Sequence, residues 1–191
     1  MKKHLLSVLV LTTLALCISA CFSCKSQSEL TSFTYKDLPK DSTLSKLWGD
    51  RISDIINNPT LIRAYRMSPD STGKDTLIGN YAVKHHIGKL ELTYASPLIF
   101  FLNDTLNFNP SENMVKTPFI PTIAFEFQQQ RESVFVVISF NGNQLVMIHN
   151  DKEIIRKQFR NPRYLLRLSV GLQPQDEYLN YMLNQQKSIS K

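Results

Sequence analysis

Along residues 44–56 the apolar positions Leu44, Leu47, Trp48, Ile52, Ile55 and Ile56 recur at spacings of three and four, with Asn57-Asn58-Pro59 behind them. That spacing predicts an amphipathic helix, because it gathers the apolar side chains into one stripe of a 3.6-residue turn. Two apolar stretches follow, TLIRAYRMS at 60–68 and TLIGNYAVK at 76–84, around the turn formers Pro69-Asp70-Ser71-Thr72-Gly73-Lys74. They predict an antiparallel hairpin joined by a loose loop. Beyond His85 and His86 the pattern is ambiguous until Ser96-Pro97, which suits the N-cap and first residue of a short helix carrying Leu98, Phe101 and Leu102. Residues 105–118 read as a long loop.

The clearest sheet pattern lies in TIAFEFQ at 122–128, SVFVVISF at 133–140 and NQLVMIH at 143–149. Asn141-Gly142 is a two-residue turn of the kind that takes positive φ at both positions, and it sets the pairing. Ile138 then faces Leu145, Val136 faces Met147 and Val134 faces His149 on one side, while Val137 with Val146 and Phe135 with Ile148 lie on the other. Both sides are apolar, so these strands are expected at the centre of a sheet covered on both faces, or at least on one face and part of the other. The first helix covers one face, and the C-terminal part is expected to cover the rest. There Asn161-Pro162 opens a helix through Leu165, Leu168 and Leu172 with Gly171 as its C-cap, and a last helix starts at Pro174 with Tyr178, Tyr181 and Met182 on one face. The fold class is α+β, a mainly antiparallel sheet packed by an N-terminal amphipathic helix and C-terminal helices.

The first residues belong to a different class. Lys2 and Lys3 precede an apolar run from Leu5 to Ala20 that holds no acidic or basic side chain. This is the pattern of a secretory signal peptide, and at 16 residues the run is shorter than the ~20 a membrane-crossing helix needs. At its end stands Ile18-Ser19-Ala20-Cys21, which resembles the lipobox of bacterial lipoproteins. The resemblance covers the first 21 residues and implies a diacylglyceryl thioether on the Cys21 sulfur, cleavage between Ala20 and Cys21, and an acylated amine on the new N-terminus. Cys17 and Cys24 fit that motif less well, since Leu16 is too large for the cleavage pocket and Cys21 itself occupies the apolar position before Cys24. Two or more acyl chains, at about 0.8 kcal/mol per buried methylene, hold a protein on a bilayer with no help from its folded part.

The expected organisation is a removed signal peptide at 1–20, a lipidated tether at 21–40 and a single domain at 41–187. Residues 22–39 are polar and Ser/Lys-rich, the composition of a flexible tether. Only Cys21 and Cys24 remain after cleavage, so the domain has no internal disulfide to draw on. The lipobox also implies an envelope address; Phe22 is not the inner-membrane aspartate of enteric lipoproteins, and 23–29 lacks the acidic cluster of a surface-export signal in Bacteroidota lipoproteins. The expected site is the outer membrane, facing the periplasm, where nucleic acid is not a partner.

Catalysis needs groups that converge, and few candidates exist. His85 and His86 are adjacent and would point to opposite faces of a strand, His149 ends an apolar row, and Ser139 sits inside a strand and not on a nucleophile turn. Asp176 and Glu177 are accounted for by a helix N-terminus, and the six glycines include no phosphate-binding loop. No catalytic set, metal site or cofactor is expected. The feature above background is basic: Lys152, Arg156, Lys157, Arg160, Arg163 and Arg167 stand against Asp151 and Glu153, a local balance of +4. Such a run commonly does no more than keep a surface wet; Arg156, Lys157, Arg160, Arg163 and Arg167 are also the candidate surface for anionic headgroups, acidic glycans or an acidic protein. Arg160, Arg163 and Arg167 would share one helical face if the helix reached back a turn. The leading reading is a lipid-anchored binding domain. An immunity-type protein with the same address and a hydrolase whose site gathers His149, Glu126, Arg131 or His85-His86 are the alternatives.

Overall fold

The structure, a computed structural model, describes residues 47–70, 76–109 and 117–188. Helix α1 (Asp50–Asn57) follows a short turn at Leu47 and Trp48, from which Gly49 separates it with a left-handed φ of 82°. The expected stripe is real where it is described: Trp48, Ile52, Ile55 and Ile56 are buried, and α1 lies against strands β4 (Ile123–Gln129) and β5 (Glu132–Ser139). Leu44 lies outside the described residues.

With β4 and β5, strands β1 (Leu61–Met67), β2 (Leu77–Ile78), β3 (Tyr81–Lys89), β6 (Gln144–His149) and β7 (Lys152–Gln158) form one antiparallel sheet in the order β2-β3-β1-β4-β5-β6-β7. The β5–β6 pairing is the expected one, with Ile138 opposite Leu145, Val137 opposite Val146 and Val134 opposite His149. The turn between them differs from the expectation. Asn143 alone takes the left-handed conformation there, at φ 50°, while the turn with positive φ at both central residues lies one hairpin later, at Asn150 and Asp151. That later turn launches β7, whose polar-rich sequence KEIIRKQ carries no alternation to announce an edge strand.

The hairpin expected from 60–68 and 76–84 is also changed. Gly79, at φ 59°, breaks the second stretch in two, so β2 folds back on β3 and β1 pairs with β3 as far as Lys89. His85 and His86 therefore belong to a strand and not to a loop. The expected short helix is longer: α2 (Leu92–Asn103) begins at Glu91 and holds Pro97 in its interior. Burial of Ala95, Leu98 and Ile99 on one side outweighs the hydrogen bond that proline cannot donate.

One face of the sheet carries the main core. Ile62, Ala64, Phe125, Phe127, Val136, Ile138, Leu145 and Met147 meet Phe101, Leu102, Leu165 and Leu166 from α2 and from α3 (Pro162–Leu172). Trp48 donates to the Leu102 carbonyl at 3.0 Å and sets its ring edge-on to Phe108. The expectation that C-terminal helices would cover the other face is corrected. That face is closed by the sheet's own edge: Ile78 packs with Met67, Ala124, Val137, Val146 and Ile148, with Tyr65, Tyr81, Phe119 and Phe135 around them. A lock joins the two edges. The Tyr81 hydroxyl donates to Glu153 at 3.0 Å and accepts from Arg156 at 3.1 Å, while the Arg156 guanidinium lies 4.8 Å from the Phe119 ring centre.

The C-terminal helices start where expected for α3 and later than expected for α4 (Glu177–Ser188). Gly171 is inside α3 and is not a left-handed cap; a Cβ there would stand 2.9 Å from the Tyr94 ring. Among the α4 side chains described, Leu179 is the buried one and Tyr178 and Tyr181 are exposed, with the helix packed on α3.

The closing hairpin yields a prediction. Gly79 combines positive φ with an Ile148 methyl 3.0 Å from where a Cβ would stand, whereas Gly49 has positive φ and open space. Gly49→Ala should cost about 1–3 kcal/mol for its positive-φ backbone alone, at φ 82° and ψ 154°, and Gly79→Ala measurably more. Urea denaturation of the two variants is the measurement, and equal losses would show that the hairpin does not press on Ile148.

Candidate functional site

The five candidate cations, Arg156, Lys157, Arg160, Arg163 and Arg167, do not form one patch. On β7, Arg156 stands opposite Val146 and Lys157 opposite Leu145, so their side chains leave the strand on opposite faces. Arg156 is bound to Glu153 at 2.7 and 2.8 Å. The Glu153 carboxylate holds the Arg156 guanidinium above its ordinary range, and Arg156 in turn holds Glu153 below its own. Tyr81 between them is pushed up to about 12, by burial first and by the Glu153 carboxylate second. Arg156 is thereby part of the lock across the curled sheet.

Arg160 precedes α3, which starts at Pro162, so the helix does not reach back to align it with Arg163 and Arg167. Arg160 turns the other way: its amide donates to Asn107 O at 2.8 Å and its Nε to Asn109 Oδ1 at 2.9 Å, fastening it to the 3-10 helix Thr105–Asn107. Arg163 and Arg167, four apart on α3, do share a side. The Arg163 Nε is buried and finds no hydrogen-bond partner among the described residues. Arg167 is exposed and lines a groove of about 350 Å³ between α2 and α3, with Thr93, Tyr94, Pro97, Tyr164 and Leu168. The groove walls are fastened by Tyr164, whose hydroxyl donates to Pro97 O at 3.1 Å and whose ring stacks on Phe101 at 5.7 Å, and by Tyr94, which donates to Gly171 O at 3.3 Å. Burial raises the Tyr164 hydroxyl above its ordinary pKa, which keeps it a neutral donor. Cys21 lies outside the described residues.

A second depression, about 430 Å³, gathers Arg66, Lys84, His85, Gln173, Asp176 and Tyr178. Arg66 at its base is almost fully buried and well partnered: Nε donates to Asp176 at 2.6 Å, and Nη1 to Thr122 O at 2.6 Å and Met67 O at 3.1 Å. Asp176 is the N-cap of α4 and accepts from the Leu179 amide at 3.0 Å. Burial works against its charge, yet Arg66 and that amide outweigh burial, so its carboxyl ionises below the ordinary value. His85 hydrogen-bonds Gln173 at 3.1 Å, while His86 tilts against Tyr65 with ring centres 5.0 Å apart, so the histidine pair diverges.

Of the residues named for a dispersed hydrolase site, Glu126 and His149 both hydrogen-bond Ser133 and His86 packs on Tyr65 beside Glu126, while His85 lines the second depression. Neither of these two cavities is lined by His149, Glu126 or Arg131. Glu126 is buried on the curled face and accepts from Tyr65 at 2.6 Å, Arg63 at 3.1 Å and Ser133 at 2.9 Å. Those donors overcome the burial that opposes its charge and keep Glu126 ionised, while Tyr65 is pushed up to about 12 by burial and by that carboxylate. His149 hydrogen-bonds the Ser133 carbonyl at 3.0 Å, a strand-end contact. Among the described residues no three His, Cys, Asp or Glu side chains converge to hold a metal, and no helix is long and apolar enough to cross a membrane.

The α2–α3 groove was not legible as a groove: its α2 wall begins at Thr93, in a stretch of ambiguous pattern, and of its lining only Arg167 stood among the candidate site residues. The Arg66–Asp176 pair, 110 residues apart, left no mark in the sequence.

Removing Arg66 should leave the buried Asp176 charge without its cation, and Arg66→Ala is expected to lose about 3–5 kcal/mol. Asp176→Asn keeps a capping oxygen and removes only the charge. Because the folded carboxyl ionises below its ordinary 3.8, its contribution is present above that value and is lost as pH falls through the lower folded pKa. The stability difference between wild type and Asp176→Asn should therefore be greatest near neutral pH and close in acid, read from urea midpoints across a pH series. Comparison of the chain with protein-family models, with characterised proteins and with solved structures finds no match.

Proposed function

We propose that the chain is the precursor of an envelope lipoprotein, held at the outer membrane by lipid on Cys21, whose folded domain binds a partner and does not catalyse. The observation that carries the anchor is Ile18-Ser19-Ala20-Cys21 at the end of an uncharged apolar run behind Lys2 and Lys3. Position and residue type agree there, and both are needed by enzymes that must transfer a diacylglyceryl group and then cut. With the lipid in place, the domain is free of any need to supply membrane affinity on its own.

The binding reading draws its support from how the domain uses its charged groups. Glu126, Glu153 and Asp176 each face an arginine within the fold, and the first two also accept from a tyrosine. A carboxylate held low in pKa by such donors is a poor general base, since it binds protons weakly at neutral pH. The surface left over is aromatic and basic, which suits recognition of an anionic polymer, an acidic protein or the headgroups of the membrane itself.

In cells that carry out lipoprotein maturation, wild-type protein should take up labelled palmitate and sediment with membranes at the mature size. Cys21→Ser should lose the label and the mature size together, with the full precursor length retained on gels. Membrane sedimentation of Cys21→Ser at the wild-type mature size would refute the anchor.

A further inference from the structure

The two most exposed large apolar side chains among those described, Phe100 at 68% and Leu106 at 76%, stand at the C-terminal end of α2 and on the 3-10 helix that follows. Phe100 continues the stripe begun by Thr93 and Pro97, the α2 side that walls the groove, and Tyr164 on α3 is a further exposed aromatic in that groove. Arginines border this strip along its length. Arg167 lines the groove, Arg163 lies one turn before it, and Arg160 is hydrogen-bonded to the 3-10 helix that carries Leu106. The acidic groups nearby are Glu91, at the N-cap of α2, and Asp104, whose carboxylate accepts the Leu106 amide.

From this juxtaposition we infer that the α2–α3 face docks on an anionic phospholipid surface, with Phe100 and Leu106 entering the headgroup region and Arg160, Arg163 and Arg167 meeting phosphates. Aromatic and aliphatic side chains with arginines close behind are the composition that favours a bilayer interface over water or hydrocarbon. The charge sign matches anionic lipid, and a guanidinium gives phosphate two parallel donors. The inference rests on the lipid anchor at Cys21, because a tethered face meets the bilayer as an intramolecular partner and needs little affinity to stay docked.

Full-length lipidated protein in vesicles of phosphatidylethanolamine and phosphatidylglycerol, some with brominated acyl chains, provides the test. Trp48 is buried but lies against Leu102 and Phe108 close to the strip, so the wild-type protein in the same vesicles supplies the baseline that is subtracted. In Phe100→Trp the added fluorescence should be quenched by about half or more. In Leu77→Trp, on the exposed hairpin strand that folds over the opposite sheet face, it should not. Arg160→Gln, Arg163→Gln and Arg167→Gln together in the Phe100→Trp chain should lower the ratio of docked to undocked domain by about fivefold for each charge removed, and replacing phosphatidylglycerol with phosphatidylcholine should lower it likewise. Equal quenching at positions 77 and 100 would mean the domain only collides with the bilayer, and no quenching at position 100 would assign the face to a protein partner; either overturns the inference. The mass of the N-terminal fragment separates the two claims. An unacylated Cys21 defeats anchor and docking together, whereas an acylated Cys21 with the Phe100→Trp fluorescence unquenched defeats docking alone.

Discussion

Strands β4, β5 and β6 carry apolar side chains on both faces, and the need to keep both from water organises everything around them. Helices α1, α2 and α3 meet the demand on one side with Ile55, Phe101 and Leu165 among the contacts. Among the described residues no helix contributes to the cluster on the other side, so the sheet covers itself: the β2–β3 edge folds across and sets Ile78 against Ile148. Curling of that degree is favoured by the right-handed twist of adjacent strands and by the irregular pairing of β1 with β3, where the register shifts twice.

A curled sheet brings its two edges into contact, and there the polar chemistry begins. Tyr81 from one edge and Glu153 with Arg156 from the other form a network whose members each have a partner, and Phe119 shields it on one side. Arg66 plays the same part elsewhere, where one guanidinium joins β1 to the segment before β4 and to the cap of α4. The buried charge of Arg66 is tolerated because it is paired and hydrogen-bonded, whereas the network of Tyr81, Glu153 and Arg156 is only partly shielded from water. The consequence for function is that Arg156 of the basic run, Glu126 and Asp176, each noted in the sequence, are fasteners within the fold.

What remains outward is narrower than the run suggested and differently composed. Arg163 and Arg167 on α3, with Arg160 turned toward the 3-10 helix, border a strip of exposed Phe100, Leu106 and Tyr164. In the lipid-anchored reading, the anchor and this strip act in sequence. The lipid sets the distance to the membrane, and the strip selects which face of the domain turns toward it.

The central hairpin follows from the order of residues down to its individual pairs, because a two-residue side-chain period and a short connection leave one register that buries both apolar sets. So does the start of α3 at Pro162, since proline has no amide proton to lose there. The proposed lipidation at Cys21, resting on a short motif that other enzymes would read, is wholly a matter of sequence. Other features were settled only when distant parts of the chain packed together. Gly79 became a turn because Ile148 needed covering, Pro97 was carried inside α2 by the burial around it, and β7 formed from a charged segment because β6 offered an unpaired edge. The candidate face was half legible: Arg160, Arg163 and Arg167 could be named, but not their aromatic neighbours or the loss of Arg156 to the lock. Those depend on contacts such as Tyr164 with Pro97 and Arg156 with Tyr81, 67 and 75 positions apart, and no local pattern of polarity records which distant side chain will arrive beside another.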